Sequence, residues 1–162
     1  MLSSFDKLFL DGVNMKYLLR SVFVMVSMFS LCSNAMTNLE KCTTTAEILK
    51  QAVVDLMVLS TDASLAKYTH TSAGKMVKKN FSGVEQENMM ASTYKVAHAL
   101  NNESMDKVQL AKKILDKQKI KYNTPQLVER AYDNMVKQID NDTADCVLQM
   151  NALVAEKTKL EI

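Results

Sequence analysis

Residues 124–154, TPQLVERAYDNMVKQIDNDTADCVLQMNALV, decide the fold class of this chain. Thr124 followed by Pro125 predicts a helix start, because threonine caps helices well and proline is favoured at the first helical position. Apolar residues then recur every three or four positions, the period of one helix face. They are Val128, Ala131, Tyr132, Met135, Val136, Ile139, Cys146, Val147, Met150, Leu153 and Val154. Asp142 is a suitable cap for a separate final helix, yet the stripe passes Asp140–Thr143 nearly in register, so one long helix and two shorter ones both fit.

Three further apolar stripes lie upstream. Thr44–Glu47 has the capping-box pattern, a hydroxyl residue followed three positions later by glutamate, and predicts the start of a helix through Met57. Ser82–Glu85 repeats the pattern and predicts a second helix, which we expect to end at Asn101–Asn102. Ser104 is then expected to cap a third helix, whose outer face is rich in lysine, as solvated helix faces usually are.

The remaining segments and the amino-acid composition also indicate a helical fold. Ser60–Asp62 is expected to cap a short helix through Tyr68, and Thr69–Asn80 to form another that ends before Gly83. The chain has only three glycines and one proline, the residues that turns and hairpins need. It also lacks the alternating β-branched and aromatic runs that indicate strands. We therefore predict an all-α fold, a small bundle of four to six helices.

The N-terminal residues have the pattern of a secretory signal. A basic segment that begins at Met15 precedes the twelve-residue apolar run Ser21–Cys32, and Ser33-Asn34-Ala35 supplies the small residues of a cleavage site. We predict that residues 1–35 are removed by cleavage between Ala35 and Met36. Met15 is an alternative start of translation.

The predicted mature chain, residues 36–162, is a single exported domain in the bacterial periplasm or outside the cell. The apolar run of the signal is shorter than the ~20 residues that span a bilayer, so we expect no stable membrane span after cleavage. Acidic and basic residues are interspersed and the net charge is only +2, which argues against a nucleic-acid partner.

Two cysteines remain after the predicted cleavage, Cys42 and Cys146. An even number of cysteines in an exported chain is typical of a disulfide bond. This bond would close a loop of about a hundred residues, for which the chain-entropy model gives ~4–5 kcal/mol. Two free thiols buried as small apolar side chains are the alternative. We predict the disulfide.

No sequence motif identifies a catalytic or cofactor site. The two histidines, His70 and His98, have no second ligand at a helical spacing that suits zinc. His98 follows Tyr94 by four residues and is expected at the boundary of the core. No glycine-rich loop could hold a phosphate. We therefore predict a non-catalytic chain without a cofactor or a metal.

Methionine is unusually frequent, with eight residues after position 35. Most lie on the apolar stripes, where they would fill the core. A methionine-rich surface would also suit a groove for a partner or an apolar ligand, and methionine with histidine suits copper(I).

Three Asn-x-Ser/Thr triplets begin at Asn80, Asn102 and Asn141, all at predicted helix junctions. They are acceptors for N-glycosylation in a eukaryotic secreted protein. Asparagine, serine and threonine are also ordinary helix-cap residues.

The prediction for function is a module that binds another protein. The plan of a signal, a helical body and a cysteine near each end resembles that of small periplasmic immunity proteins paired with type VI secretion amidases. This resemblance is architectural, extends over residues 36–162 and rests on no specific motif. It implies an envelope inhibitor or immunity protein that covers a toxin or hydrolase. A periplasmic chaperone or adaptor and a carrier of an apolar ligand are the alternatives, and a homo-oligomer is compatible with each.

Overall fold

The computed structural model describes residues 36–59 and 63–160. The predicted signal peptide and its cleavage site before Met36 therefore lie almost wholly outside the described residues, as does the predicted cap at residues 60–62. The signal peptide stays a prediction. The cap is wrong, because Ser64 is the N-cap of the short helix Leu65–Tyr68 and its Oγ accepts a hydrogen bond from the Lys67 N–H at 3.3 Å.

Five helices form the described part of the chain. They are α1 (Asn38–Leu59), α2 (Leu65–Tyr68), α3 (Ser72–Asn80), α4 (Gly83–Lys117) and α5 (Thr124–Leu160). The prediction of an all-α bundle with four to six helices is confirmed. None of these helices is long and apolar enough to cross a bilayer.

Helix α1 lies at the centre of the bundle and packs against α3, α4 and α5. It runs parallel to α4, because Lys41 contacts Glu85 near the start of both helices and Val53 contacts Asn101 further along. It runs antiparallel to α5, since Cys42 bonds to Cys146. The ion pair between Lys50 and Asp140 agrees with this direction, because Lys50 follows Cys42 on α1 whereas Asp140 precedes Cys146 on α5.

The predicted disulfide is confirmed, with the two sulfur atoms of Cys42 and Cys146 2.01 Å apart. Both cysteines are buried in the main core, which α1 shares with the other helices. The bond joins the first turns of α1 to the second half of α5 across 104 positions of sequence.

Helices α4 and α5 continue beyond the end of α1. At 1.5 Å per residue, the 22 residues of α1 extend about 33 Å and the 35 residues of α4 about 52 Å. The end of α4 and the start of α5 therefore project as a two-helix hairpin. A second small core holds this hairpin together, built from Val108, Leu115, Leu127 and Ala131.

The predicted start of α1 at Thr44–Glu47 is wrong, because the helix begins earlier. The capping box is Thr37–Glu40: the Thr37 backbone N–H donates to the Glu40 carboxylate at 2.7 Å, and the Glu40 N–H donates to Thr37 Oγ1 at 3.2 Å. The Thr37 hydroxyl also donates to Glu40 Oε2 at 2.9 Å, and the backbone N–H and hydroxyl of Thr37 together lower the pKa of Glu40. Thr44–Glu47 lies inside the helix, where Thr45 is buried against the core.

The predicted break at Asn101–Asn102 is also wrong, because α4 continues from Gly83 to Lys117. Asn101 is buried and donates from Nδ2 to the Val53 carbonyl of α1 at 3.0 Å. Ser104 is buried on the same helix instead of capping a new one. Polar residues that suit helix ends in sequence are thus buried between helices here.

The second capping box is confirmed in position but not in its bonds. Ser82 is the N-cap of α4, yet its side chain makes no capping hydrogen bond. Glu85 instead accepts a hydrogen bond from the Lys41 ammonium of α1 at 2.7 Å. Gly83 opens the helix with a φ of +56°, a conformation in which glycine avoids the strain of a Cβ.

Helix α5 is one continuous helix, which resolves the alternatives left by the sequence. Its first backbone bond runs from the Leu127 N–H to the Asn123 carbonyl, so the helix is capped at Asn123, one residue before the predicted Thr124 cap. Pro125 is therefore its second residue. Asp142, a candidate cap, is buried in the middle of α5 and accepts from Gln138 Nε2 at 3.1 Å.

Candidate functional site: an apolar cleft at the end of α1

A cleft of about 460 Å³ opens where α1 ends beside the longer helices. Because α4 and α5 continue past Leu59, the described residues leave the space beyond α1 partly unfilled. Apolar side chains dominate its lining, and three polar side chains of α4 complete it. The lining residues are Leu56, Met57, Ala63, His98, Asn101, Asn102, Met105 and Val128.

Two methionines from different helices line this cleft. Met57 comes from the last turns of α1 and packs against the main core, whereas Met105 comes from α4 and is 38% exposed. Unbranched thioether side chains adjust their rotamers easily and so adapt to irregular apolar surfaces. Val128 of α5 adds a third apolar wall. The cleft is therefore suited to receive an apolar group.

Asn101 provides a polar group within this apolar lining. Its Nδ2 is held by the Val53 carbonyl, but its Oδ1 is buried and has no hydrogen-bond partner among the described residues. A buried oxygen without a donor costs free energy, about 1–3 kcal/mol in mutational series. A ligand group with an N–H or O–H would satisfy it if the neighbouring side chains move aside.

His98 lies at the edge of the cleft and is held by its neighbours on α4. Its ring lies 5.7 Å from the ring of Tyr94, and its Nδ1 is 3.1 Å from Asn102 Nδ2. Tyr94 in turn donates its hydroxyl to the Ala63 carbonyl at 3.1 Å, which ties the segment before α2 to α4. The predicted place of His98 at the core boundary agrees with this geometry. His70 is exposed in the turn after α2, outside the cleft lining.

A buried tyrosine anchors α2 against α4 on the side of the bundle. The Tyr68 hydroxyl lies 2.9 Å from Thr93 Oγ1, and Thr93 donates to the Met89 carbonyl at 2.7 Å. Tyr68 is therefore the donor in the first of these bonds. Burial raises the pKa of Tyr68 to about 12, so its hydroxyl stays protonated at neutral pH. The Tyr68 side chain thus supports the packing of α2 against α4 and carries no charge at neutral pH.

Six of the eight methionines after position 35 lie in the core or line the cleft. Four are buried in the main core, namely Met89, Met90, Met135 and Met150. Met57 and Met105 line the cleft. The interpretation that methionines fill the core is confirmed for the four buried ones. A role of Met57 and Met105 in binding stays a prediction. Within residues 36–59 and 63–160, no group of three His, Cys, Asp or Glu side chains could hold a metal ion.

The expectation that all three Asn-x-Ser/Thr triplets lie at helix junctions is wrong for two of them. Asn80 is the last residue of α3, and its Nδ2 donates to the Met76 carbonyl. Asn102 and Asn141 lie inside α4 and α5, because those helices are continuous.

No family model, curated protein or solved structure matches the chain. Its function is therefore inferred from its own geometry.

Sequence reasoning placed no residue at a binding site. Met57 and Val128 were expected on inward faces, and they do face other helices, but the cleft depends on where α1 stops relative to α4 and α5. The sequence did contain one indication of the cleft. The apolar stripe continues through Met105 and Val108, and these side chains need apolar neighbours beyond the end of the first helix.

Proposed function

We propose that this chain is an exported, non-catalytic helical module that binds another protein, and that it acts as an inhibitor or immunity protein covering a toxin or hydrolase. The observation that carries the proposal is the open apolar cleft at the end of α1. An apolar side chain of the partner enters this cleft, and the exposed residues of α4 and α5 next to the cleft form the surrounding contact.

The rest of the bundle supports such a role. A disulfide and a continuous core hold α1, α4 and α5 together, so the cleft is already formed before a partner arrives. Inhibitors that bind with little backbone movement lose less conformational entropy on association. Met105 beside the cleft and Leu110 further along α4 are both exposed and add apolar surface to this helix.

The volume of the cleft favours a second candidate, the carrier of an apolar ligand. Clefts that hold small molecules typically measure about 300–1,000 Å³ and combine apolar walls with a few polar groups. This cleft falls in that range, and Asn101 supplies the polar group. An apolar molecule with one hydrogen-bond donor would be the ligand.

Isolation of the tagged protein at its natural level tests the proposal, with Met105→Asp as the cleft variant. Leu148→Asp is the matched control, because Leu148 is 67% exposed on α5 and lies outside the cleft lining. We expect one stoichiometric protein partner with the wild type and with Leu148→Asp, and its loss with Met105→Asp.

Three other results would redirect the proposal. Many weakly bound proteins would favour a chaperone or adaptor over an inhibitor. A preparation without a protein partner but with an extractable apolar molecule would favour the carrier. A partner that Met105→Asp retains at full strength would remove the cleft from the binding surface.

A further inference from the structure

Positive charge is concentrated at the projecting end of the α4–α5 hairpin. Residues 112–123, KKILDKQKIKYN, contain five lysines and one aspartate, a net charge of +4. The whole chain carries only +2, so the rest of the chain is net negative. We call these twelve residues the hairpin tip.

The lysines of the tip are available to a partner. Lys113, Lys117, Lys119 and Lys121 are exposed and Lys112 is half-buried. In the described part of the chain, the ion pairs involve lysines of other segments, and Asp116 is the only acid within the tip. A net charge of +4 within twelve residues acts jointly on a partner, because charges in water interact over about one Debye length (~8–10 Å).

Apolar side chains stand among these lysines. Ile120 is 47% exposed and Tyr122 is 36% exposed, and they alternate with Lys119 and Lys121 along the chain. A tyrosine ring with a polar end is favoured at the boundary between water and lipid. Lysine side chains can lay their aliphatic stems on an apolar layer while the ammonium group stays at the lipid headgroups.

The end of α4 holds this segment in a defined shape. Lys119 adopts a φ of 53°, and the N–H groups of Lys119 and Ile120 donate to the carbonyls of Asp116 and Leu115. These two bonds are the pair that closes a helix in the Schellman motif. The tip is therefore a defined turn at the projecting end of two helices. A projecting end can reach a flat surface without a clash from the rest of the bundle.

We propose that the hairpin tip binds the surface of an anionic lipid bilayer, with the lysines at the headgroups and with Ile120 and Tyr122 at the boundary of the acyl chains. This site shares no residue with the apolar cleft and does not depend on the proposed partner. It would hold the protein at a membrane surface while the cleft stays open.

Flotation with lipid vesicles tests the proposal on the protein as cells deliver it. Vesicles of phosphatidylglycerol and phosphatidylcholine in equal parts are compared with vesicles of phosphatidylcholine alone. All variants share the same N-terminus, so any contribution from residues before Met36 cancels. We expect binding to the anionic vesicles that weakens as salt is raised, and little binding to the neutral ones.

Two substitution pairs separate the tip from general charge. Lys119→Gln with Lys121→Gln should weaken the binding about 30-fold, since each lysine near an anionic surface contributes about fivefold. Lys75→Gln with Lys79→Gln removes the same charge from exposed positions of α3 and should leave the binding nearly unchanged. Ile120→Ser should weaken it several-fold without changing the net charge.

Three results would overturn the proposal: equal binding to neutral and anionic vesicles, full binding by the tip pair, or equal losses in the tip and α3 pairs. Absence of wild-type binding to either vesicle would also overturn it and would leave an acidic protein as the partner of the tip. The Met105→Asp variant keeps its vesicle binding if the two sites are independent, so failure of the proposed function is distinguishable.

Discussion

Single residues hold the smaller helices of this bundle against the larger ones. Asp55 of α1 accepts a hydrogen bond from the Ala73 backbone N–H at 2.7 Å, at the start of α3. Thr71 accepts from the Gly74 N–H at 3.2 Å in the same turn. An acid at a helix start interacts favourably with the positive end of the helix dipole. The side chains around the start of α3 thus fix its position against α1 and α2.

At Gly74, the start of α3 lies very close to the backbone of Tyr68 and Thr69. A Cβ at this position would lie 2.3 Å from the Tyr68 carbonyl oxygen and 2.9 Å from backbone atoms of Thr69. Gly74→Ala must therefore move backbone, and we expect it to lower the free energy of unfolding by about 3 kcal/mol, the upper range for overpacking. Chemical denaturation monitored by circular dichroism measures the change.

Gly83→Ala is the control for that prediction. A Cβ added at Gly83 would meet no atom within 4 Å, but the residue has a φ of +56°. Only backbone strain of about 1–2 kcal/mol therefore opposes the substitution. A smaller loss for Gly74→Ala than for Gly83→Ala would contradict the close contact.

Tyr68 makes stability depend on pH in the alkaline range. Its pKa is raised to about 12 in the folded protein, so the folded state holds its proton where the unfolded chain, with a pKa near 10, releases it. The stabilisation that comes from the protonated Tyr68 hydroxyl is complete below pH 10 and is lost as the pH rises to 12. It corresponds to about 2–3 kcal/mol at 1.36 kcal/mol per pKa unit.

Comparison with Tyr68→Phe isolates that effect from the titration of lysines. The phenylalanine variant should be less stable near neutral pH by about 1 kcal/mol, the typical value of one hydrogen bond. Between pH 10 and 12 the wild type should lose more stability than the variant. Parallel curves for the two proteins would show that Tyr68 is not buried as described.

At the scale of elements, the pairing of α1 with α4 depends on a buried ion pair. Lys41 is only 2% exposed and Glu85 is 17% exposed, and their charged atoms lie 2.7 Å apart. Removing one partner of such a pair leaves a charge in the core without its counter-charge. The two single substitutions are therefore expected to differ.

Glu85→Ala should lower the free energy of unfolding by about 3 kcal/mol, because the Lys41 ammonium then stays buried alone. Lys41→Met keeps an apolar stem of similar length and leaves a carboxylate that reaches water more easily, so its cost should be smaller. Urea denaturation of both variants and of the double variant measures the coupling. Equal costs for the two single variants would contradict the difference in burial.

The helices themselves were predictable from the sequence, but several of their ends were not. Apolar stripes every three or four residues marked α1, α4 and α5, because the helical period depends only on local chain geometry. Asn101, Ser104 and Asp142 looked like helix ends, since these residue types favour caps. Each is buried within a helix instead, and for two of them a partner is visible: α1 for Asn101 and Gln138 for Asp142.

The cleft was beyond the reach of the sequence for a related reason. Its walls come from four separate segments, and its volume depends on α1 ending before α4 and α5 do. The predicted break at Asn101–Asn102 ended α4 well before Lys117, so the sequence analysis placed no longer helix beside the end of α1. The disulfide could be predicted, since only two cysteines remained to pair after residue 35.

At the scale of the whole molecule, the Cys42–Cys146 bond closes most of the described chain into one loop. For a separation of 104 residues, the chain-entropy model predicts a stabilisation of about 4–5 kcal/mol. The double variant Cys42→Ala with Cys146→Ala should therefore melt well below the wild type, as scanning calorimetry would show. Equal melting temperatures for the oxidised wild type and the double variant would contradict a bond between these residues.

One rigid bundle thus carries both proposed surfaces, a cleft for a partner protein and a basic tip for an anionic membrane. Photo-crosslinking in living cells tests the first surface most directly. A photoreactive amino acid at Met105 reports on the cleft, and one at Leu148 reports on an exposed site outside it. We predict one discrete crosslinked protein from position 105 and none from position 148. Crosslinks of equal yield from both positions, or no protein crosslink from position 105, would contradict a partner bound in the cleft.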